Sequence, residues 1–127
     1  QGLNYKIGLS GSTYIPWYTF DIKGLDGKRI VLYGAGAVGK DYFFQIQRQT
    51  NIELVLWVDQ KYQEMNINNY TIDDVTMLLN TKFDQVLVAV KYECLAKKII
   101  DDLCENYSVP RSCIIWKYPK EIYVLDE

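Results

Sequence analysis

The residues best suited to chemistry in this 127-residue chain are three glycines and one acid. Gly34, Gly36 and Gly39 stand in the run Gly34-Ala35-Gly36-Ala37-Val38-Gly39, and Asp59 follows Gly39 by twenty residues. A G-x-G-x-x-G run has diagnostic weight only between a buried strand and an amphipathic helix, with an acid ending the next strand. All of those conditions are met here. Gly34 permits a tight strand-to-helix turn, Gly36 leaves room for a diphosphate against bare backbone, and Gly39 lets the helix lie close to the strand. Amides near Ala37 and Val38, at the positive end of the helix dipole, would hold the phosphates. Asp59 would accept hydrogen bonds from the adenine ribose. Its charge opposes a 2′-phosphate and so favours NAD over NADP. S-adenosylmethionine sites share the glycine turn and the strand-end acid, which keeps that ligand as an alternative.

The elements that must position these residues can be read from apolar periodicity. Arg29–Tyr33 is apolar on both faces, as a central parallel strand should be. A helix is expected from Ala37 to Gln49, with Val38, Tyr42 and Ile46 four apart on one face. Strands are expected at Ile52–Val58, Gln85–Val90 and Cys113–Trp116, with edge pieces near Met65–Ile67 and Ile122–Leu125. Thr71 is expected to cap a short helix with Asp73 and Asp74 in its first turn and Val75, Leu78 and Leu79 buried. A last helix over Tyr92–Tyr107 carries Leu95, Ala96, Ile99, Ile100 and Leu103 on its buried stripe. Residues 1–25 read as an irregular aromatic segment, around Tyr14, Ile15, Trp17, Tyr18 and Phe20, leading into a core at 26–117. Alternating strands and helices predict one Rossmann-like α/β domain: three layers, α/β/α, around a mostly parallel sheet of order 3-2-1-4-5. The ligand crevice then falls between the first and fourth strands. Lys91, Tyr92 and Glu93 would line its mouth, with Lys91 a further cofactor contact.

Several functions are excluded or disfavoured. The chain has no histidine, which removes Ser-His-Asp and Cys-His mechanisms and any His-ligated zinc. Its three cysteines form no C-x-x-C pair and suit a reducing cytoplasm as free thiols. The spacing from Tyr92 to Lys97 is one residue too long for the Tyr-x-x-x-Lys pair of short-chain dehydrogenases. Cys94 has no histidine partner, and Asp73 and Asp74 read as first-turn charges. No catalytic residue and no metal site is therefore expected. Fourteen basic and sixteen acidic residues are well mixed, so no basic field recruits nucleic acid. Apolar runs stop far short of the roughly 20 residues a membrane span needs.

Lys28 through Tyr42, Leu56-Trp57-Val58-Asp59, Phe83 through Val90 and Val109 through Trp116 together resemble a known bacterial domain type. It is the NAD(P)-binding Rossmann-like module of cell-surface polysaccharide proteins, found beside glycosyltransferase domains and at the front of membrane-anchored nucleotide-sugar dehydratases. The resemblance covers about residues 26–117, and its glycine turn and acid fall on Gly34, Gly36, Gly39 and Asp59. In the dehydratases the catalytic residues lie in a second domain, so none carries over. The resemblance implies a nucleotide-binding module, NAD preferred, without catalysis of its own, inside a glycosyltransferase or polysaccharide-assembly protein. Its ligand would be a dinucleotide or nucleotide sugar, and its partners copies of itself or the domains of a longer parent chain. Two alternatives stand beside it. One is the cofactor half of a nucleotide-sugar-modifying enzyme. The other is a degenerate Rossmann domain used for protein contact through Trp17, Tyr18 and Phe20.

Overall fold

A computed structural model describes residues 17–21, 23–48, 51–65 and 70–122. Tyr14, Ile15, Gln49, Asn66, Ile67 and Tyr123–Leu125 lie outside the described residues, and with them parts of the elements expected there. The chain folds as a mixed α/β structure around a four-stranded parallel sheet. The strands are β2 (Arg29–Tyr33), β3 (Glu53–Val58), β4 (Gln85–Val88) and β5 (Ile114–Ile115), in the order β3-β2-β4-β5. A two-stranded antiparallel ribbon, β1 (Tyr18–Thr19) and β6 (Lys120–Glu121), lies apart from the sheet.

Side chains alternate across each strand and divide the core in two. Ile30, Leu32 and Leu87 face helix α1 (Ala37–Gln47), where they meet Val38, Tyr42, Phe43 and Ile46. Val31, Tyr33, Val86 and Val88 face the other way, onto Ala96, Ile99, Ile100 and Leu103 of helix α2 (Glu93–Asn106). Ile30, Val31, Leu32, Val58, Val86 and Leu103 are fully enclosed. A strand buried on both faces must be apolar throughout, and that run of apolar residues is what marked it in the sequence.

Three local expectations are corrected. The stretch after Tyr70 opens no α-helix at Thr71. Asp73 forms a parallel bridge with Val58 at the β3 edge, its N–H donating to the Trp57 carbonyl at 2.8 Å. A 3-10 helix follows over Val75–Asn80, capped by Asp74, whose carboxylate accepts from the Thr76 amide at 3.1 Å. The threefold period of a 3-10 turn aligns Val75 with Leu78 and leaves Leu79 outside; Leu79 is 63% exposed. Leu95, in the first turn of α2, is likewise exposed, while the rest of its predicted stripe is buried.

Arg29 and Asp84 tie the entry of β2 to the entry of β4. The Arg29 amide, Nε and Nη2 all donate to the Asp84 carboxylate, at 2.7, 3.2 and 3.1 Å, and the Asp84 amide returns a bond to the Arg29 carbonyl at 2.8 Å. Hydrogen bonds from the Arg29 side chain and backbone hold the Asp84 carboxyl at about 2, well below its ordinary 3.8. A depressed carboxyl stabilises the fold above its unfolded pKa, and that contribution disappears as pH falls through the folded one. Asp84→Asn should therefore flatten the drop in Tm between about pH 4 and pH 2, with little change in its slope at neutral pH, in thermal melts across a pH series.

Candidate functional site

The glycine turn sits at the carboxyl end of β2, and three neighbours fix it. The Gly34 amide donates to the Val58 carbonyl at 2.8 Å. Trp57 donates its indole Nε1–H to the Gly34 carbonyl at 2.6 Å from a buried position. The Ala35 amide donates to Asp59 Oδ2 at 2.8 Å. Phe43 of α1 stacks on the Trp57 ring, centroids 4.4 Å apart and planes 12° from parallel, which sets the ring's direction. Trp57 was read from the sequence only as part of an apolar strand. Its role in holding the turn depends on a pairing across the sheet that no local pattern announces.

Each glycine has a different reason to be there. Gly34 has φ of +123°, a conformation L side chains rarely adopt, and a Cβ there would lie 2.7 Å from the Ala89 carbonyl oxygen. A Cβ on Gly39 would collide with the Gly34 carbonyl, so α1 closes on β2 only without one. Gly36 is unlike both. Its φ is −80°, and a Cβ there would meet nothing within 4 Å. Neither the backbone nor the packing of this chain requires glycine at 36.

Gly36 and Ala37 face solvent, and Val38 and Gly39 are buried behind them. Gly36 is the N-cap of α1 and supplies no side-chain cap, and the first turn carries no acid. The helix start thus presents amides to an open surface at the positive end of its dipole. Asp59 comes to the same place. Besides the Ala35 amide, its carboxylate accepts from the Lys61 amide through Oδ1 at 2.7 Å. Its backbone is pinned too, the N–H to the Asp73 carbonyl at 3.2 Å and the C=O to the Tyr62 amide at 3.1 Å. Each oxygen keeps acceptor capacity beyond its one amide. The structure therefore brings Gly34, Gly36, Ala37, Val38, Gly39 and Asp59 together.

Lys91 is placed differently. Its ammonium lies 3.8 Å from the Glu121 carboxylate, 5.7 Å from the centre of the Tyr18 ring and 5.8 Å from that of Tyr92. Tyr18 first and Glu121 second hold its pKa above the ordinary lysine value. Tyr92 is 63% exposed and Lys97 is also exposed. Glu93 accepts from the Tyr118 hydroxyl at 2.8 Å. Cys94 is exposed, Cys104 and Cys113 are half-buried, and all three are free thiols. Among the described residues no group of three or more His, Cys, Asp or Glu could hold a metal ion. No described helix is long and apolar enough to cross a membrane.

A cavity of about 860 Å³ lies elsewhere, between α1, the β1–β6 ribbon and the β4–β5 side of the sheet. Leu25, Tyr42, Leu87 and Ile115 contribute to its walls, and no residue of the glycine turn does.

A parallel α/β sheet with a glycine turn clamped to the acid of the neighbouring strand defines the class of domain. The chain belongs to the C2185-like, N-terminal family, whose profile matches residues 26–115. The match takes in the turn, Asp59 and the whole sheet, and leaves β1 and β6 outside. No curated protein and no solved structure matches the chain.

The geometry separates two kinds of glycine by stability. Gly39→Ala should cost ~1–3 kcal/mol through overpacking, whereas Gly36→Ser, which keeps a good N-cap, should change stability by less than about 0.5 kcal/mol, both read from urea unfolding. Trp57→Phe keeps the ring stack but strands the Gly34 carbonyl, at a cost of about 1–3 kcal/mol in the same measurement.

Proposed function

We propose that this chain is a Rossmann-like nucleotide-binding module that prefers NAD to NADP and performs no catalysis of its own. In that reading the four strands are the 2-1-4-5 part of the order 3-2-1-4-5, and the bridge at Asp73 stands where the third strand would pair. The observation that carries the reading is Gly36: an open position at a helix start, glycine without a steric cause. A diphosphate lying against the backbone there supplies the cause, since a side chain would stand in its way. Asp59, locked by two amides beside the turn, is placed to accept from ribose hydroxyls and to repel a 2′-phosphate. The cofactor itself would supply any redox chemistry. The chain's own residues would bind and orient it, with the amides at 36–38 on the phosphates and Asp59 on the ribose.

The likeness of the turn and strands to modules of polysaccharide-assembly proteins makes such a cytoplasmic parent, a glycosyltransferase or a nucleotide-sugar-modifying enzyme, the proposed setting. Use as a contact module is the second reading. Of the three residues it names, Trp17 is exposed, Tyr18 is half-buried, and Phe20 is half-buried against Tyr42 with centroids 4.8 Å apart. Tyr92, Leu95 and Tyr118, by contrast, are 63%, 44% and 66% exposed.

Thermal shifts against NAD, NADP and S-adenosylmethionine test the proposal. NAD at ~100 times its dissociation constant should add about 2.7 kcal/mol and raise Tm by several degrees. Gly36→Val should abolish the shift while leaving the free protein folded, its Tm lowered only by the poorer N-cap. Asp59→Asn, which keeps an acceptor for Ala35 but removes the charge, should narrow the gap between NAD and NADP. No shift with any of the three would leave the contact reading.

A further inference from the structure

In a parallel sheet of this kind ligands bind beyond the carboxyl ends of the strands, where the connections diverge to opposite faces. Here that point lies between β2, which leads into α1, and β4, which leads into α2. The β1–β6 ribbon bridges its two walls. On the α1 side, the Trp17 and Tyr18 amides both donate to Asp41 Oδ2 at 3.0 Å, one helical turn beyond Ala37. Asp41 is only 4% exposed as a result. On the β4 side, Lys91 lies against the Tyr18 ring and pairs with Glu121, the register partner of Tyr18. The Ile122 amide donates to the Trp17 carbonyl at 2.8 Å and closes the ribbon. Below it, Gln45 both donates to the Phe20 carbonyl at 2.9 Å and accepts from the Phe20 amide at 3.2 Å.

The glycine turn and Asp59 remain on the open side of this bridge. Gly36 and Ala37 are exposed, and Asp59 is half-exposed. A ligand with its ribose on Asp59 and its diphosphate on the turn would direct any second nucleoside toward β4, where Tyr18 and Glu121 stand. The one cation on that wall that the sequence offered as a ligand contact, Lys91, is engaged by Glu121 and two tyrosine rings.

Resting on the nucleotide reading above, we propose that the β1–β6 ribbon closes the β4 half of the crevice mouth and stands between the glycine turn and the cavity behind it, whose walls include Thr19, Phe20 and Lys120 but no residue of the turn, so that the site takes nucleoside diphosphates and a dinucleotide's second nucleoside cannot reach that cavity. The ribbon lies outside the residues matched by the family profile, so this narrowing belongs to the segments flanking the common core. It also agrees with a module that lacks catalysis, because a nicotinamide kept out of a pocket cannot be aligned for hydride transfer.

Titration calorimetry of the full chain with ADP, ADP-ribose and NAD tests this. The dissociation constants should agree within about fivefold, roughly 1 kcal/mol. NADH should bind with the emission spectrum of its free nicotinamide unchanged. Tyr18→Ala with Glu121→Ala, which opens the bridge, should leave ADP affinity as it was and tighten NAD relative to ADP. A larger preference of the unmodified protein for NAD, or an enhanced and blue-shifted NADH emission on binding, would overturn the closed-crevice proposal while leaving the nucleotide site standing. Failure of all three ligands to bind would instead overturn the nucleotide reading and this proposal with it.

Discussion

The carbonyl of Gly34 is pressed between two elements. Helix α1 reaches it at Gly39, where a side chain would collide, and β3 reaches it through the indole N–H of Trp57. A buried carbonyl without a donor costs about 1–3 kcal/mol, so the tryptophan satisfies an acceptor that the close approach of the helix has cut off from water. Phe43 then stacks on the same indole. Strand, turn and helix are thereby locked at one angle, and that angle determines where the first amides of α1 point. Asp59, just past the end of β3 and two residues beyond Trp57, completes the arrangement by taking the Ala35 amide.

This clamp explains why the turn is rigid and yet open. Its internal bonds use the carbonyl of Gly34 and the amides of Gly34 and Ala35. The amides at the start of α1 lie on the other side, where Gly36 contributes no cap. A site for an anion works best when its donors are held in place before the ligand arrives, since no ordering cost then falls on binding. The β4 side of the crevice has the opposite character. Its Lys91 is paired with Glu121 of the ribbon, and the ribbon is held in turn to Asp41 of α1. An open, amide-rich half and a bridged, charge-paired half lie side by side across the point where the strand order reverses.

Much of this was legible before folding. Doubly buried strands are apolar at consecutive positions, so β2, β3 and β4 stood out, and the 3.6-residue stripes of α1 and α2 followed from having one covered face each. The glycine turn and Asp59 were found because their spacing is set by the lengths of one helix and one strand. The stretch near Thr71 was misread because the pull of the β3 edge on Asp73 outweighed local helix signals, and the remaining residues were too few for more than a 3-10 turn. The Arg29–Asp84 pair and the ribbon join residues 55 and more than a hundred positions apart, beyond the reach of any periodicity.

The amino-acid sequence by itself determined which segments form the parallel sheet, where the chain can turn without side chains, and which acid follows β3, because each depends on properties of neighbouring residues. Only the tertiary structure decided that Gly36 alone among the three glycines has room for a side chain, that Trp57 holds the turn, and that Lys91 is bound into a bridge. Those outcomes depend on which distant backbone and side-chain groups come within a few ångströms of each other, and hydrogen bonds and steric clashes act only at that range.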